Sequence, residues 1–397
     1  MASLPTVDKT VSLKVYFGDV VRNVKVDVTP ETSGLERYVA GEHMETDDLH
    51  ITHWGNIGDG YLGPAFHRKF VKGQVLYGSR RTYLRKVAVA EFDGICANTT
   101  LVLEPKDGSL LPELLPFIMQ SESFTEFSVK NSKGSVNPYI NWSDLARYEF
   151  PLPPLDEQRR IAEILWAADE VTVNWSEYLL RLESAKWRLF DQLFWKKNKA
   201  DNLALPDNWK LLPLNKCVHE RGETSKHPHK RERYLGLENI EPGSWTTSTF
   251  SDSSNFSSNC SVFYTGDLLY GKLRPNLDKA AIASFEGVCT TEILVLCNES
   301  FITNDFLLCH FHSPRFVEFN SHQAFGTKMP RTSFEIFGNY QIPVPPLEEQ
   351  REILVTFHSL ISTESEVKNH INMSRKLSSN LINKLLSVKV SDGGCIV

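Results

Sequence analysis

At 397 residues, with 41% hydrophobic and 23% charged side chains, the chain is long enough for two hydrophobic cores and has the composition of an ordinary soluble protein. A net charge of −6 does not announce a nucleic-acid binder. No stretch approaches the roughly 18 consecutive apolar residues of a membrane span. The first residues lack the basic head and apolar run of a secretory signal, and seven scattered cysteines without a CxxC pair read as reduced, cytosolic thiols.

In residues 1–150, short β-branched or aromatic runs at 11–17, 87–92 and 99–103 alternate with Gly and Asp turns. Residues 111–127 have helical spacing at Leu114, Leu115, Ile118 and Phe124. With no long crossover helices, this predicts an α+β globule and not a doubly wound sheet. Residues 31–59 are acidic, whereas 67–86 hold His67, Arg68, Lys69, Lys72, Arg80, Arg81, Arg85 and Lys86 against no acid. Interleaved with Phe66, Phe70, Tyr77 and Tyr83, that run suits a nucleic acid as well as a solvated patch.

The next segment, 151–204, opens on Pro151-Leu152-Pro153-Pro154-Leu155-Asp156-Glu157-Gln158-Arg159. Prolines end an extended stretch, and acids follow where a helix N-terminus favours them. Ile161, Ala168, Trp175, Leu182 and Leu189 then stand seven apart, with Ile164, Val171, Tyr178 and Ala185 between them. That heptad seam predicts a helix wound beside another. A polar stretch at 196–202 precedes Leu205-Pro206-Asp207-Asn208-Trp209 and a second globule, 205–342.

The opening phrase then returns, 192 positions later, as Pro343-Val344-Pro345-Pro346-Leu347-Glu348-Glu349-Gln350-Arg351, and opens a last helical segment, 343–397. Ile353, Leu360, Val367 and Leu381 hold its seam, with Phe357, Ile371 and Leu385 between; Glu364, Ser374 and Ser378 interrupt it. The echo runs through the globules in constant order. Tyr77-Gly78 answers Tyr270-Gly271, Gly94 and Cys96 answer Gly287 and Cys289, and Gly134 to Pro138 answers Gly326 to Pro330. A period this long is a duplication of a whole domain, not a solenoid. The expected architecture is two similar mixed α/β domains separated by two long antiparallel, coiled-coil-like helices with pseudo-twofold repetition. At 1.5 Å per residue each helix would be a rod of roughly 60 Å.

Catalytic and metal signals are weak. Val136-Asn137-Pro138-Tyr139-Ile140 lacks the second proline of an amino-methyltransferase Asn-Pro-Pro-Tyr loop, and its counterpart reads Lys328-Met329-Pro330-Arg331-Thr332. No Walker loop, GxSxG or HExxH is present. Cys309-His310 with His312, and His227-Pro228-His229, have no second ligand pair at a metal-site spacing. No catalytic residue, metal or cofactor is therefore expected.

Tandem globules, each ending in a Pro-x-Pro-Pro-Leu-x-Glu-Gln-Arg phrase that opens a long helix, resemble the specificity (S) subunits of type I restriction-modification systems. Further phrases of that kind are Gly266 to Pro275 with Lys279, Phe285 to Glu292, and 385–390. The resemblance implies a cytoplasmic, non-catalytic subunit whose two target recognition domains read a bipartite, asymmetric site in double-stranded DNA. It also implies helices that set the spacer and dock two methyltransferase (modification) subunits, with restriction (translocase-nuclease) subunits added to that core. A protein-interaction scaffold that binds no DNA, or the specificity component of a related methyltransferase-nuclease system, is the alternative.

On that reading the DNA contacts lie in two loops per domain. One follows Tyr-Gly: Ser79, Arg80, Arg81, Arg85 and Lys86, then Lys272, Arg274 and Lys279. The other surrounds the Gly-to-Pro turn: Lys133, Ser135 and Asn137, then Thr327, Lys328 and Arg331. Arg and Lys fork onto guanine or phosphate, Asn onto adenine. Apolar side chains off the expected seam, Leu165, Leu179, Leu180, Trp187, Phe190, Phe194 and Trp195, divide between the adjoining domains and the partner subunits.

Overall fold

The computed structural model describes residues 13–196, 203, 205–326 and 329–386. Backbone packing divides the chain into two units, 1–176 with 369–397 and 177–368, so each long helix gives one half to either unit.

In the first unit, Leu13–Tyr16 pairs antiparallel with Glu149–Leu152 as a two-stranded ribbon. A four-stranded antiparallel sheet runs Val21–Asn23, Thr100–Pro105, Val75–Gly78, Val87–Val89. A five-stranded sheet runs Val26–Asp27, Phe66–Phe70, Gly94–Ala97, Arg37–Val39, Gly55–Asn56, and is mixed because Arg37–Val39 lies parallel to Gly94–Ala97. Gly94 is required there: a Cβ would stand 2.6 Å from the Phe70 ring and 2.8 Å from the Arg37 carbonyl. Short helices Leu115–Gln120 and Glu122–Lys130 cover the four-stranded sheet, with Ser121 capping the second through the Phe124 N–H. The core gathers Phe17, Tyr77, Phe124, Tyr148 and Phe150 with Ile161, Leu165 and Ile382 from the long helices. Each such burial contributes about 1.5–3 kcal/mol.

The second unit repeats this strand for strand. Its ribbon is Lys210–Pro213 with Gln341–Val344. The four-stranded order is Val218–Glu220, Ile293–Asn298, Leu268–Gly271, Ala280–Ile282, and the five-stranded order is Thr224–Ser225, Cys260–Phe263, Gly287–Cys289, Arg233–Leu235, Ser251–Asp252. Gly287 answers Gly94, its Cβ position lying 2.6 Å from the Arg233 carbonyl. Phe190, Phe194, Phe306, Phe311, Phe316 and Phe357 fill the core.

The two long helices, Leu155–Phe194 and Leu347–Leu386, are 40 residues each. The duplicated phrase explains how each is fastened. Gln158 is buried; its amide donates to the Ser109 and Pro153 carbonyls at 2.7 and 2.8 Å and accepts the Leu111 N–H at 2.9 Å. Gln350 does the same with the Phe301 and Pro345 carbonyls and the Thr303 N–H. Neighbouring acids differ between repeats. Glu157 pairs along the helix with Arg160, whereas Glu349 accepts the Trp209 indole N–H at 2.7 Å, which ties down the Leu-Pro-x-x-Trp opening that only the second half has.

Within each unit the two helix halves pack side by side and antiparallel. In the first, Trp175 stacks on His370 and the Thr172 hydroxyl meets that of Ser374 at 2.7 Å. In the second, Phe190 meets Phe357 edge to face and Lys186 pairs with Glu364. The seam departs from the expected one in its second stripe. Val171, Tyr178 and Ala185 are exposed, while Leu165 and Lys186 are buried and Thr172 and Leu179 half-buried. The inner stripe of the central helix is therefore 165, 172, 179, 186, in register with Phe357, Glu364, Ile371 and Ser378, 192 positions on.

Candidate nucleic-acid interface

The two loops expected to touch DNA are joined in each unit by backbone hydrogen bonds. In the first, Gly78 N–H closes the Tyr-Gly loop on the Lys86 carbonyl at 3.0 Å, Arg81 N–H donates to the Pro138 carbonyl at 2.6 Å, and Ile140 N–H donates to Ser79. Lys133 and Tyr139 exchange both their backbone bonds and close the second loop as a tight hairpin. The second unit repeats this with Gly271 on Lys279, Arg274 on Pro330, Thr332 on Lys272, and Phe325 with Arg331. Gly134 and Gly326 take φ of +92° and +97° in those hairpins, a conformation that favours glycine.

Four non-glycine residues in the Tyr-Gly loops also sit in the left-handed region. Arg81 and Arg85 flank a one-turn helix at Thr82–Leu84, and Arg274 and Asp278 flank the matching turn at Pro275–Leu277, all with φ near +50°. Such strain of about 1–3 kcal/mol per residue survives only where surroundings over-determine it, and it concentrates at binding sites.

The side chains sort into two groups. Arg80, Arg81 and Arg274 are exposed, as are Ser135 and Asn137, and no side-chain hydrogen bond or ion pair holds any of the five among the described residues. They are open to a ligand. Ser79, Arg85, Lys86 and Lys279, also expected at the DNA, are already engaged within their own unit. The Ser79 hydroxyl is buried on the Thr99 carbonyl at 2.6 Å. Arg85 spans Asp47, Glu122 and the Gln120 carbonyl at 2.6–2.9 Å. Lys86 and Lys279 donate to the Gly41 and Leu237 carbonyls at 2.6 and 2.7 Å. Lys133 and Arg331 lean on Asp144 and Glu292 at the surface, and Lys272 is half-buried. Thr327 and Lys328 lie outside the described residues.

Beside Arg80 the first unit has a polar cleft of 460 Å³ walled by Asn23, Lys25, Arg68, Asn98, Tyr139 and Asn141. Asn98 and Asn141 are exposed amides that carry no local signal in the sequence; strand pairing alone brings them to Arg80. The interleaved aromatics of the basic run are mostly structural. Phe70 and Tyr77 are buried, Phe66 packs edge-on against Tyr38, and Tyr83 is exposed.

The histidines of the second unit also have structural partners. His310 sits in a nest of Phe190, Phe194 and Phe306, and burial pushes its imidazole down to about 3. His312 is held by Asp278 at 2.7 Å and the Ser244 carbonyl. Among the described residues no group of three His, Cys, Asp or Glu side chains is placed to hold a metal, and no helix is long and apolar enough to cross a membrane.

The apolar side chains of the expected partner set differ in burial. Leu165, Phe190 and Phe194 are buried in their own unit's core, Leu179 lies on the inner stripe, and Trp187 and Trp195 pack against the second core. Of that set Leu180 stays open, at 66% exposed. Other open apolar side chains of the long helices include Val355 in the second unit and Val171, Met373 and Leu377 in the first.

The family described as "Type I restriction modification DNA specificity domain" matches twice, over residues 52–178 and 240–373. The chain is 25% identical over 296 residues to the type I restriction enzyme EcoDI specificity subunit of Escherichia coli, covering 65% of each chain. It is 26% identical over 315 residues to the MjaVIII specificity subunit of Methanocaldococcus jannaschii, covering 73% of each. Among solved structures it resembles a chain from a study of complex assembly and conformational transition in the type I R-M system, with a TM-score of 0.55 at 17% identity over 96% of this chain and 99% of that one. The S subunit of M. genitalium gives 0.50 at 16% identity over 97% and 99%. With the family's domain matched twice in one chain, over more than half of its length, this protein belongs to the type I restriction-modification DNA specificity family.

Proposed function

We propose that each unit reads one half of a bipartite, asymmetric site in double-stranded DNA. The observation that carries this reading is the loop pair itself: one strained backbone frame, present in both units, presents different open side chains. Arg80, Arg81, Ser135 and Asn137 serve one half-site, Arg274 with Lys272, Thr327, Lys328 and Arg331 the other. Lys133 steadies the first hairpin and reaches phosphate from the surface. Recognition domains at 1–150 and 205–342 alternate with helical segments at 151–204 and 343–397.

The long helices set the gap between half-sites and dock two methyltransferase subunits, through open apolar side chains such as Leu180 and Val355 in the second unit and Val171, Met373 and Leu377 in the first. Methyl transfer belongs to those subunits and cleavage to restriction subunits joined to the same core; this chain is the non-catalytic specificity component, acting in the cytoplasm.

Spacer length tests the reading. Four residues inserted beside Glu177 lengthen the central helix by about 6 Å, close to two base-pair steps of roughly 3.4 Å. Being just over one turn, the insertion rotates the seam only mildly. Mapping methylated positions genome-wide in cells carrying either chain should then show the same half-sites with a gap wider by one or two base pairs. Altered half-sites with an unchanged gap would refute the assignment.

A further inference from the structure

We propose that the buried Lys186–Glu364 ion pair selects the helix partner: it makes the central helix take a C-terminal helix and refuse a second central helix. Lys186 Nζ lies 2.7 Å from Glu364 Oε2, and the two side chains are 11% and 7% exposed. The second carboxylate oxygen, Glu364 Oε1, is buried with no hydrogen-bond partner among the described residues. A pair so incompletely satisfied is a poor source of stability, since desolvating the two charges offsets most of their attraction.

The internal repeat shows that this layer does not need charge. Moving by 192 positions places Ser378 at the counterpart of Lys186 and Thr172 at the counterpart of Glu364. In the first unit those two hydroxyl residues line one cavity of 500 Å³, as Lys186 and Glu364 line one of 660 Å³ in the second. Thr172 is satisfied there by Ser374. Hydroxyls fill the layer once, and a charge pair fills it the other time.

The consequence appears when like helices are paired in the same antiparallel register. Two central helices set Lys186 against Thr172 at both ends, and the nearest acid one turn away, Asp169, is already held by His50 at 2.7 Å. Two C-terminal helices set Glu364 against Ser378. They also bring Lys368, which lies 3.7 Å from Glu183, against Arg375, the counterpart of Glu183. Pairing two central helices therefore buries Lys186 twice without its carboxylate, pairing two C-terminal helices sets Lys368 against Arg375, and the mixed pairing returns Glu364 to Lys186. Breaking a buried pair is penalised strongly enough to give a preference of at least about a hundredfold.

The test uses full-length chains with two different affinity tags. Lys186→Glu and Glu364→Lys each place like charges in the layer, and each alone should lose most of its soluble yield. Both changes in one chain should restore it. The two single variants co-expressed should rescue each other by exchanging helices, so that one tag captures the other at least about tenfold above co-expressed wild-type chains. Lys186→Ser with Glu364→Thr installs the first unit's hydroxyl pair; that chain should fold and show the same loss of exclusivity. Single reversals as soluble as wild type would overturn the proposal. So would complementary reversals that fail to capture one another, or a folded hydroxyl variant as exclusive as wild type.

Discussion

Replacing Gln350 with leucine removes a side chain that fastens a 40-residue helix to its domain while keeping nearly the same volume. Three hydrogen bonds vanish, to the Phe301 and Pro345 carbonyls and from the Thr303 N–H, all between 2.9 and 3.1 Å. At about 1 kcal/mol net per bond, with about 1 kcal/mol more for the backbone groups left unpaired, taken at the low end of that penalty, the loss is about 4 kcal/mol. The added apolar contact returns about 1 kcal/mol, leaving a net destabilisation of about 3 kcal/mol. For a unit of this size that lowers the melting midpoint by about 6–12 °C. Differential scanning calorimetry should show the second unit's transition moving and the first unit's staying in place, with Gln158→Leu giving the converse. Gln350→Glu should be no milder, because it loses two donors and buries a carboxylate. A shift below about 2 °C in both leucine variants would show that the prolines alone fasten the helices.

Two other predictions separate recognition from scaffold. Arg80→Ala or Arg274→Ala should weaken DNA binding by the assembled complex at one half-site, by about 1–3 kcal/mol, with the melting curve unchanged; affinity held within twofold in both would remove those side chains from the interface. Arg85→Ala should lower stability instead, since it breaks the ties to Asp47, Glu122 and the Gln120 carbonyl. The third concerns pH. His310 is held at about 3 when folded, below its unfolded value near 6.5, so between these limits only the unfolded state takes up the proton. Stability should therefore fall with acidification through that window, by about 2 kcal/mol at pH 5, and His310→Leu should flatten the slope. Parallel curves for the two chains would refute it.

What was legible in the sequence was whatever the duplication repeats as a local pattern. Pro153 to Gln158 reads as a helix start because prolines and acids act within one turn, and Gly94 and Gly287 stand out only as equivalent positions of the two repeats. The two sheets of each unit were not legible, because Arg37–Val39 finds its parallel neighbour Gly94–Ala97 across more than fifty residues. The same distance hid the fate of Arg85: nothing beside it in sequence reveals Asp47 and Glu122 as partners. Phe70 and Tyr77 read as part of a basic, aromatic run suited to a nucleic acid because a buried strand and such a run share their spacing. The seam was placed one residue out at Ile164, although Phe357 already occupied the counterpart of Leu165, which is buried.

Why the loops can diverge while the frame repeats follows from which atoms hold them. The bonds that join the two loops run from Arg81 N–H to Pro138 and from Arg274 N–H to Pro330, backbone to backbone, so they do not depend on the side chains there. Arg80 and Leu273 can occupy equivalent places without altering the turn. The left-handed positions at the far end of each turn are more demanding. Arg85 and Asp278 share one backbone conformation with opposite charges, and each is satisfied by its own unit: Arg85 by Asp47 and Glu122, Asp278 by His312. A change at that position must therefore be matched by a change in the partner that holds it, whereas a change at Arg80, Arg81 or Arg274 need not be. Altered recognition is expected to arise from the open positions singly, and from the committed ones only in pairs.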